Sequence, residues 1–210
     1  YMQSLPKWVQ AFNAEQRPQK YTKSGWNTLY PIQTYTQSGP DDSPYESKMA
    51  GETAPVFPHT LQGGNPLELI RTSPYGNTLT KDFAIQAMSE EKLGKNGTTD
   101  FLAISFSSTD YVGHNFGPQS IELEDTYLRL DKDIAEILSY LDAQYGKNQV
   151  LVFLTADHGN ADFVVNDDGS PNTAHTTNPV PVWWVTQERE QDLRNGILAD
   201  VAPTILQMMG

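Results

Sequence analysis

Five side chains of metal-ligand type stand out by identity and spacing. Asp110 and His114 lie four apart in STDYVGHNFG, Asp157 and His158 are adjacent in TADHGN, and His175 sits in NTAHTTNPVPV. The chain has no cysteine, so any metal site must use imidazole and carboxylate, a donor set that suits zinc, manganese or iron(II). Five such ligands exceed what one tetrahedral zinc with an open position needs. They suit two ions sharing a site, an arrangement that clamps the attacking and leaving oxygens of phosphoryl transfer. Gly113 and Gly159 stand beside the two pairs, where a tight backbone turn is useful. A single Asp–His pair at a strand end is more commonly a turn or a cap; the expected convergence of all five sets these apart. His59, in PVFPHT, has no partner close in sequence and is set aside. Asp162, Asp167 and Asp168 read as a solvated turn around NDDGSPN.

The elements that must position these residues follow from hydrophobic pattern. FLAISFSSTD and QVLVFLTAD are apolar runs bounded by turn residues, hence buried strands, each delivering ligands at its carboxyl end. VPVWWVT reads as a third strand, with His175 in the loop before it. SIELEDTYLRLDKDIAEILSYLDAQYG places Leu123, Tyr127, Leu130, Ile134, Ile137, Leu138 and Leu141 at helical spacing, with acids in the first turn and Gly146 as the stop. NTLTKDFAIQAMSEEKLG reads as a helix capped by Thr78 or Thr80 and stopped by Gly94, LPKWVQAFN as a short helix with Pro6 in its first turn, and GILADVAPTILQMM as a final helix. GWNTLYPIQTYTQ, broken by Pro31, is an edge strand or extended loop.

Strand, helix, strand with continuous apolar strands predicts an α/β fold whose largely parallel sheet is flanked by helices. Ligands in such sheets bind beyond the carboxyl ends of the strands, where the two Asp–His pairs fall. Residues 1–75, rich in Pro, Gly, Ser and Thr, form an irregular, cap-like subregion, and 76–210 the metal-binding core. No internal repeat is visible.

With 210 residues and 38% hydrophobic content, the chain can bury a sizeable core. Its net charge of −12, without a basic patch, argues against nucleic-acid or anionic-lipid partners. Phosphate-bearing substrates then need a local positive centre, which metal ions supply. No signal peptide opens the chain and no apolar run is long enough to span a bilayer; a start at Tyr1 is compatible with a preceding segment. The NGTT tripeptide at Asn96 fits a glycosylation pattern that is common by chance.

DFLAISFSSTDYVGHNFGPQSIELEDTYLRLDKDIAEILSYLD followed by VLVFLTADHG resembles the alkaline phosphatase superfamily, in particular the periplasmic zinc-dependent alkaline phosphatases related to type I phosphodiesterases and nucleotide pyrophosphatases. LPKWVQAFN, WNTLYPIQTYTQ, GETAPVFPHTL and SPYGNTLTKDFA extend that resemblance over residues 1–159. The tail, from TADHGN to LRNGILADVAPTILQMMG, resembles the carboxyl end of cofactor-independent phosphoglycerate mutases of the same superfamily. The two meet at Asp157–His158–Gly159, which suggests a spliced chimera or a divergent natural member.

The resemblance implies two divalent ions, zinc before manganese: Asp110, His114 and His175 on one, Asp157 and His158 on the other. It also implies a Ser or Thr nucleophile and a further Asp from an earlier segment, for which no counterpart is found, so a second chain is one source of the missing part. The implied activity is metal-dependent hydrolysis of small phosphate esters, in the periplasm or outside the cell. Mutase-type phosphotransfer, which places the protein in the cytoplasm, and a non-catalytic scaffold without a nucleophile are the alternatives.

Overall fold

The computed structural model describes residues 2–185 and 194–209. Its elements, in chain order, are α1 (Lys7–Ala14), α2 (Arg17–Thr22), a 3-10 turn (Ile32–Thr34), α3 (Pro66–Arg71), α4 (Tyr75–Glu90), α5 (Ser108–Phe116), α6 (Ile121–Tyr145), β1 (Val152–Thr155), β2 (Gly159–Asn160), β3 (His175–Thr176), β4 (Val182–Val185), a 3-10 turn (Leu198–Asp200) and α7 (Val201–Met209). Thr186, the end of the predicted third strand, lies outside the described residues.

α6 begins where its sequence says it should. The Ser120 hydroxyl accepts the Leu123 N–H at 3.1 Å, Glu122 and Glu124 occupy the first turn, and Gly146, at φ 91°, ends it. α4 starts earlier than predicted, after Pro74, and neither threonine caps it. Thr78 instead donates to Asp133 on α6 at 2.9 Å, and Thr80 to the Gly76 carbonyl at 3.0 Å. Glu91 caps its carboxyl end, three residues before Gly94. Pro6 is the residue before α1 and not inside its first turn.

The chain is α/β, but the strand pairing seen among the described residues differs from the predicted parallel sheet. β1 pairs β4 antiparallel, with Phe153 opposite Trp184, and β2 pairs β3 antiparallel. Residues 101–106 form neither strand nor helix. Ile104 and Phe106 pack beside Met88, Ile137, Leu141 and Val152, whereas Phe101 and Leu102 are exposed. Ile104 and Phe106 are only partly buried, by helix packing, and a parallel ladder would need strand neighbours that the described residues do not contain.

The main core joins both halves of the sequence. Trp26, Met49, Leu61 and Leu69 pack against Val112, Phe116 and Leu123. Asp125, fully buried, accepts from Trp26 Nε1 and the Leu29 N–H at 2.7 Å, the Tyr35 hydroxyl at 2.5 Å and Arg129 Nε at 2.6 Å. These bonds pin the irregular 25–35 loop to α6 and so fix the platform on which α5 lies.

Candidate metal centre

α5 is a helix where the sequence suggested only a strand end, and the difference explains the Asp110–His114 spacing. Residues four apart on a helix share a face. Two contacts dock its amino end. Asn77, 1% exposed, accepts the Ser108 N–H at 3.2 Å and donates to the Thr109 hydroxyl at 2.9 Å. Gly76 leaves the room: a Cβ there would stand 2.0 Å from the Ser108 hydroxyl.

The other ligands arrive on the β2–β3 pair. Asn160 faces His175 across it, Gly159 faces Thr176, and His158 immediately precedes β2. A Cβ on Gly159 would lie 2.6 Å from the Thr176 hydroxyl, so the close pairing requires glycine. Gly113, between the two α5 ligands, admits the hairpin: its Cβ would come within 3.0 Å of Asn160 Nδ2.

The structure brings four of the five predicted residues together. His114 Nε2 and His175 Nε2 are 2.9 Å apart, and each lies 3.3 Å from Asp110 Oδ1. The His158 ring stacks on His175 with centroids 3.6 Å apart, and ligand atoms of Asp110, His158 and His175 lie within 4.8 Å of one another. Asp157 stands apart, with its side chain 90% exposed and its Oδ1 3.5 Å from His158 Nε2.

Asp110 Oδ1 is buried and has no hydrogen-bond partner. A buried carboxylate oxygen that accepts no hydrogen bond is costly unless a donor, a water or a cation meets it. Ligand atoms about 2.0–2.1 Å from a tetrahedral zinc lie about 3.3–3.4 Å from one another, close to the 3.3 Å spacings seen here. The donor set and its spacing therefore fit a divalent ion. His158 Nδ1 stands 3.2 Å from the Gly159 carbonyl, a contact that favours the proton on Nδ1 and leaves the Nε2 lone pair free.

His59 needs correction. It has partners on both nitrogens: Nδ1 lies 2.8 Å from Glu52 Oε2 and Nε2 3.0 Å from Glu122 Oε1, while Trp26, Phe57 and Phe116 surround the ring. Burial opposes its charge, but the two carboxylates outweigh burial and raise its pKa. Glu52, seven residues upstream, was the available signal. The Asp162–Asp168 stretch is the turn expected: Asp168 caps Ser170, and Asp162 accepts from Asn178 at 2.7 Å.

A family model described as type I phosphodiesterase / nucleotide pyrophosphatase matches residues 2–190, a span that includes Asp157–Gly159. Alkaline phosphatase PhoV of Synechococcus elongatus is 55% identical over 161 residues, 76% of this chain and 29% of its own length. The crystal structure of alkaline phosphatase PafA is 48% identical and superposes with a TM-score of 0.75, covering 78% of this chain and 32% of that one. A 2,3-bisphosphoglycerate-independent phosphoglycerate mutase of Bacteroides thetaiotaomicron is 38% identical over 130 residues, 62% of this chain and 23% of its own. That alignment is longer than the stretch 155–210, so the mutase likeness reaches upstream of the tail. The chain spans under a third of the length of these relatives. It belongs to the type I phosphodiesterase / nucleotide pyrophosphatase family, within the alkaline phosphatase superfamily.

Proposed function

We propose that this chain is the metal-binding part of a metal-dependent phosphoric-ester hydrolase of the alkaline phosphatase type, acting on small phosphomonoesters in the periplasm or outside the cell. Asp110, His114 and His175 hold one divalent ion, zinc before manganese, and Asp157 with His158 contributes to a second. The buried, unpartnered Asp110 Oδ1 between two imidazole nitrogens carries this reading. The relatives named alkaline phosphatase supply the reaction class.

A bound divalent ion would act as a Lewis acid toward a phosphoryl oxygen. The protein's own task is to present lone pairs and to keep charge in balance. Asp110 contributes the anionic oxygen. His114 and His175, whose Nε2 atoms stand 2.9 Å apart, would each have to carry its proton on Nδ1 to ligate together. The superfamily's Ser or Thr nucleophile comes from another segment of the family fold or from a second chain.

Hydrolysis of a chromogenic phosphomonoester by the zinc-loaded chain joined by the segment that supplies the nucleophile, abolished in His175→Ala, is the expected result. Phosphoglycerate interconversion with manganese would favour the mutase reading, which the 38% identity supports. Stoichiometric metal without turnover of either ester would favour the non-catalytic scaffold.

A further inference from the structure

The Asp110 centre depends on where α5 sits relative to the β2–β3 hairpin. Asp110 and His114 ride on the helix, while His158 and His175 come with the hairpin. The apolar anchors of α5 are Val112 and Phe116, 0% and 2% exposed in the main core. Apolar burial holds the helix against that core but has no preferred direction, so a small slide or roll costs it little. Hydrogen bonds resist such motion, because they weaken steeply away from their best angle.

The amino end of α5 does not use the cap its own sequence offers. Ser107 stands in the cap position, yet its side chain bonds no helix N–H and its hydroxyl lies 3.1 Å from that of Ser105. The cap comes instead from α4, 31 residues upstream of Ser108. Asn77 Oδ1 accepts the Ser108 N–H at 3.2 Å, and its Nδ2 donates to the Thr109 hydroxyl at 2.9 Å. A flipped amide would turn its NH2 toward the Ser108 N–H, donor against donor, so the two bonds fix one orientation. At 1% exposure the amide is shielded from competing solvent. Asp110 is the next residue after Thr109.

We propose that Asn77 is a positioning residue for the metal centre, acting through Ser108 and Thr109 to set α5 against the hairpin. The Asp110–His114 spacing is internal to the helix. What Asn77 governs is the spacing of that pair from His175: 3.3 Å for Asp110 Oδ1 and 2.9 Å for His114 Nε2, each to His175 Nε2. This role rests on reading the Asp110 cluster as a divalent-ion site. Groups that orient metal ligands by hydrogen bonding are worth about ten- to a hundredfold in metal affinity. Asn77 reaches the ligands through two intervening residues, which puts its effect at the lower end.

Zinc affinity by chelator competition and the visible absorption of the cobalt(II)-loaded chain test the role, with the folded fraction followed by circular dichroism. Asn77→Ala should lower zinc affinity about tenfold and alter the cobalt bands. Asn77→Asp keeps the shape, still accepts the Ser108 N–H and can take the Thr109 hydroxyl proton, so it should return affinity to within about threefold of wild type. Thr109→Val, which removes one of the two bonds at constant shape, should fall between wild type and Asn77→Ala. Met88→Ala, a cavity in the other core cluster, is the control: Tm falls at least as far, while zinc affinity and cobalt bands stay as in wild type. Wild-type affinity in Asn77→Ala, or an equal loss in Met88→Ala, would overturn the role. Should Asn77→Ala not fold, Thr109→Val decides, and unchanged affinity there overturns it. No zinc uptake by wild type, or equal uptake by His175→Ala, would instead strike the centre itself and leave Asn77 no ion to serve.

Discussion

Two polar clusters in this molecule use similar residue types for opposite ends. Around Asp125, each carboxylate oxygen is met by donors from Trp26, Leu29, Tyr35 and Arg129, and the cluster ties loop to helix. Around Asp110, one buried carboxylate oxygen is left open, the histidines are half-buried or exposed, and the supports are a glycine-bearing hairpin and one turn of α5. A satisfied network stabilises; an unsatisfied one waits for a ligand.

The largest expected break in that comparison is Asp125→Ala. Removing the acceptor strands four donors, one of them an arginine, and should cost about 3–5 kcal/mol of stability in urea unfolding. The fraction that remains folded should keep its metal content. Asp110→Ala should do the reverse: metal affinity falls about a hundredfold or more, read by chelator competition, while the metal-free protein stays within about 0.5 kcal/mol of wild type. Loss of both together in either variant would mean that the two clusters are one unit.

Gly159→Ala sharpens the contrast at the hairpin. Its Cβ would meet the Thr176 hydroxyl at 2.6 Å and Asn178 at 3.1 Å, so β2 and β3 must part. A metal affinity about tenfold lower with a stability loss of about 1–2 kcal/mol is expected.

Stability against pH gives the smallest effect. Burial, then the charge of Glu122, pushes Glu46 from 4.5 up to about 8. The folded state keeps a proton that the unfolded chain releases, so this contribution is full below about 4.5 and is lost as pH rises toward 8. His59, also raised, acts with the same sign. In metal-free protein the midpoint of urea unfolding should decline across that window, and Glu46→Gln should flatten the decline.

How much of this was legible follows from which signals are local. α6 could be read end to end because its apolar spacing, its Ser120 cap and its Gly146 stop agree. The convergence of Asp110, His114, His158 and His175 was legible from residue chemistry and topology together, although the route was partly misjudged. The apolar run 101–106 looked like a buried, paired strand, yet only Ile104 and Phe106 are partly covered, by α4 and α6, a tertiary effect that sequence spacing does not encode. The D-x-x-x-H spacing was itself a helical signal, and it was outweighed by that apolar run. Asp157 shares a motif with His158, but in the bend between β1 and β2 its side chain is left 90% exposed, outside the cluster. His59 was missed because Glu122, its deeper partner, is 63 residues away in the chain.

The account stands on the claim that the imidazoles of α5 and β3 share one divalent ion with Asp110. Zinc K-edge absorption on protein loaded with one equivalent of zinc addresses it directly. The prediction is a first shell of nitrogen and oxygen at about 2.0–2.1 Å with the multiple-scattering signature of at least two imidazoles, one of which disappears in His175→Ala. An all-oxygen shell, or an imidazole count that His175→Ala leaves unchanged, would contradict it.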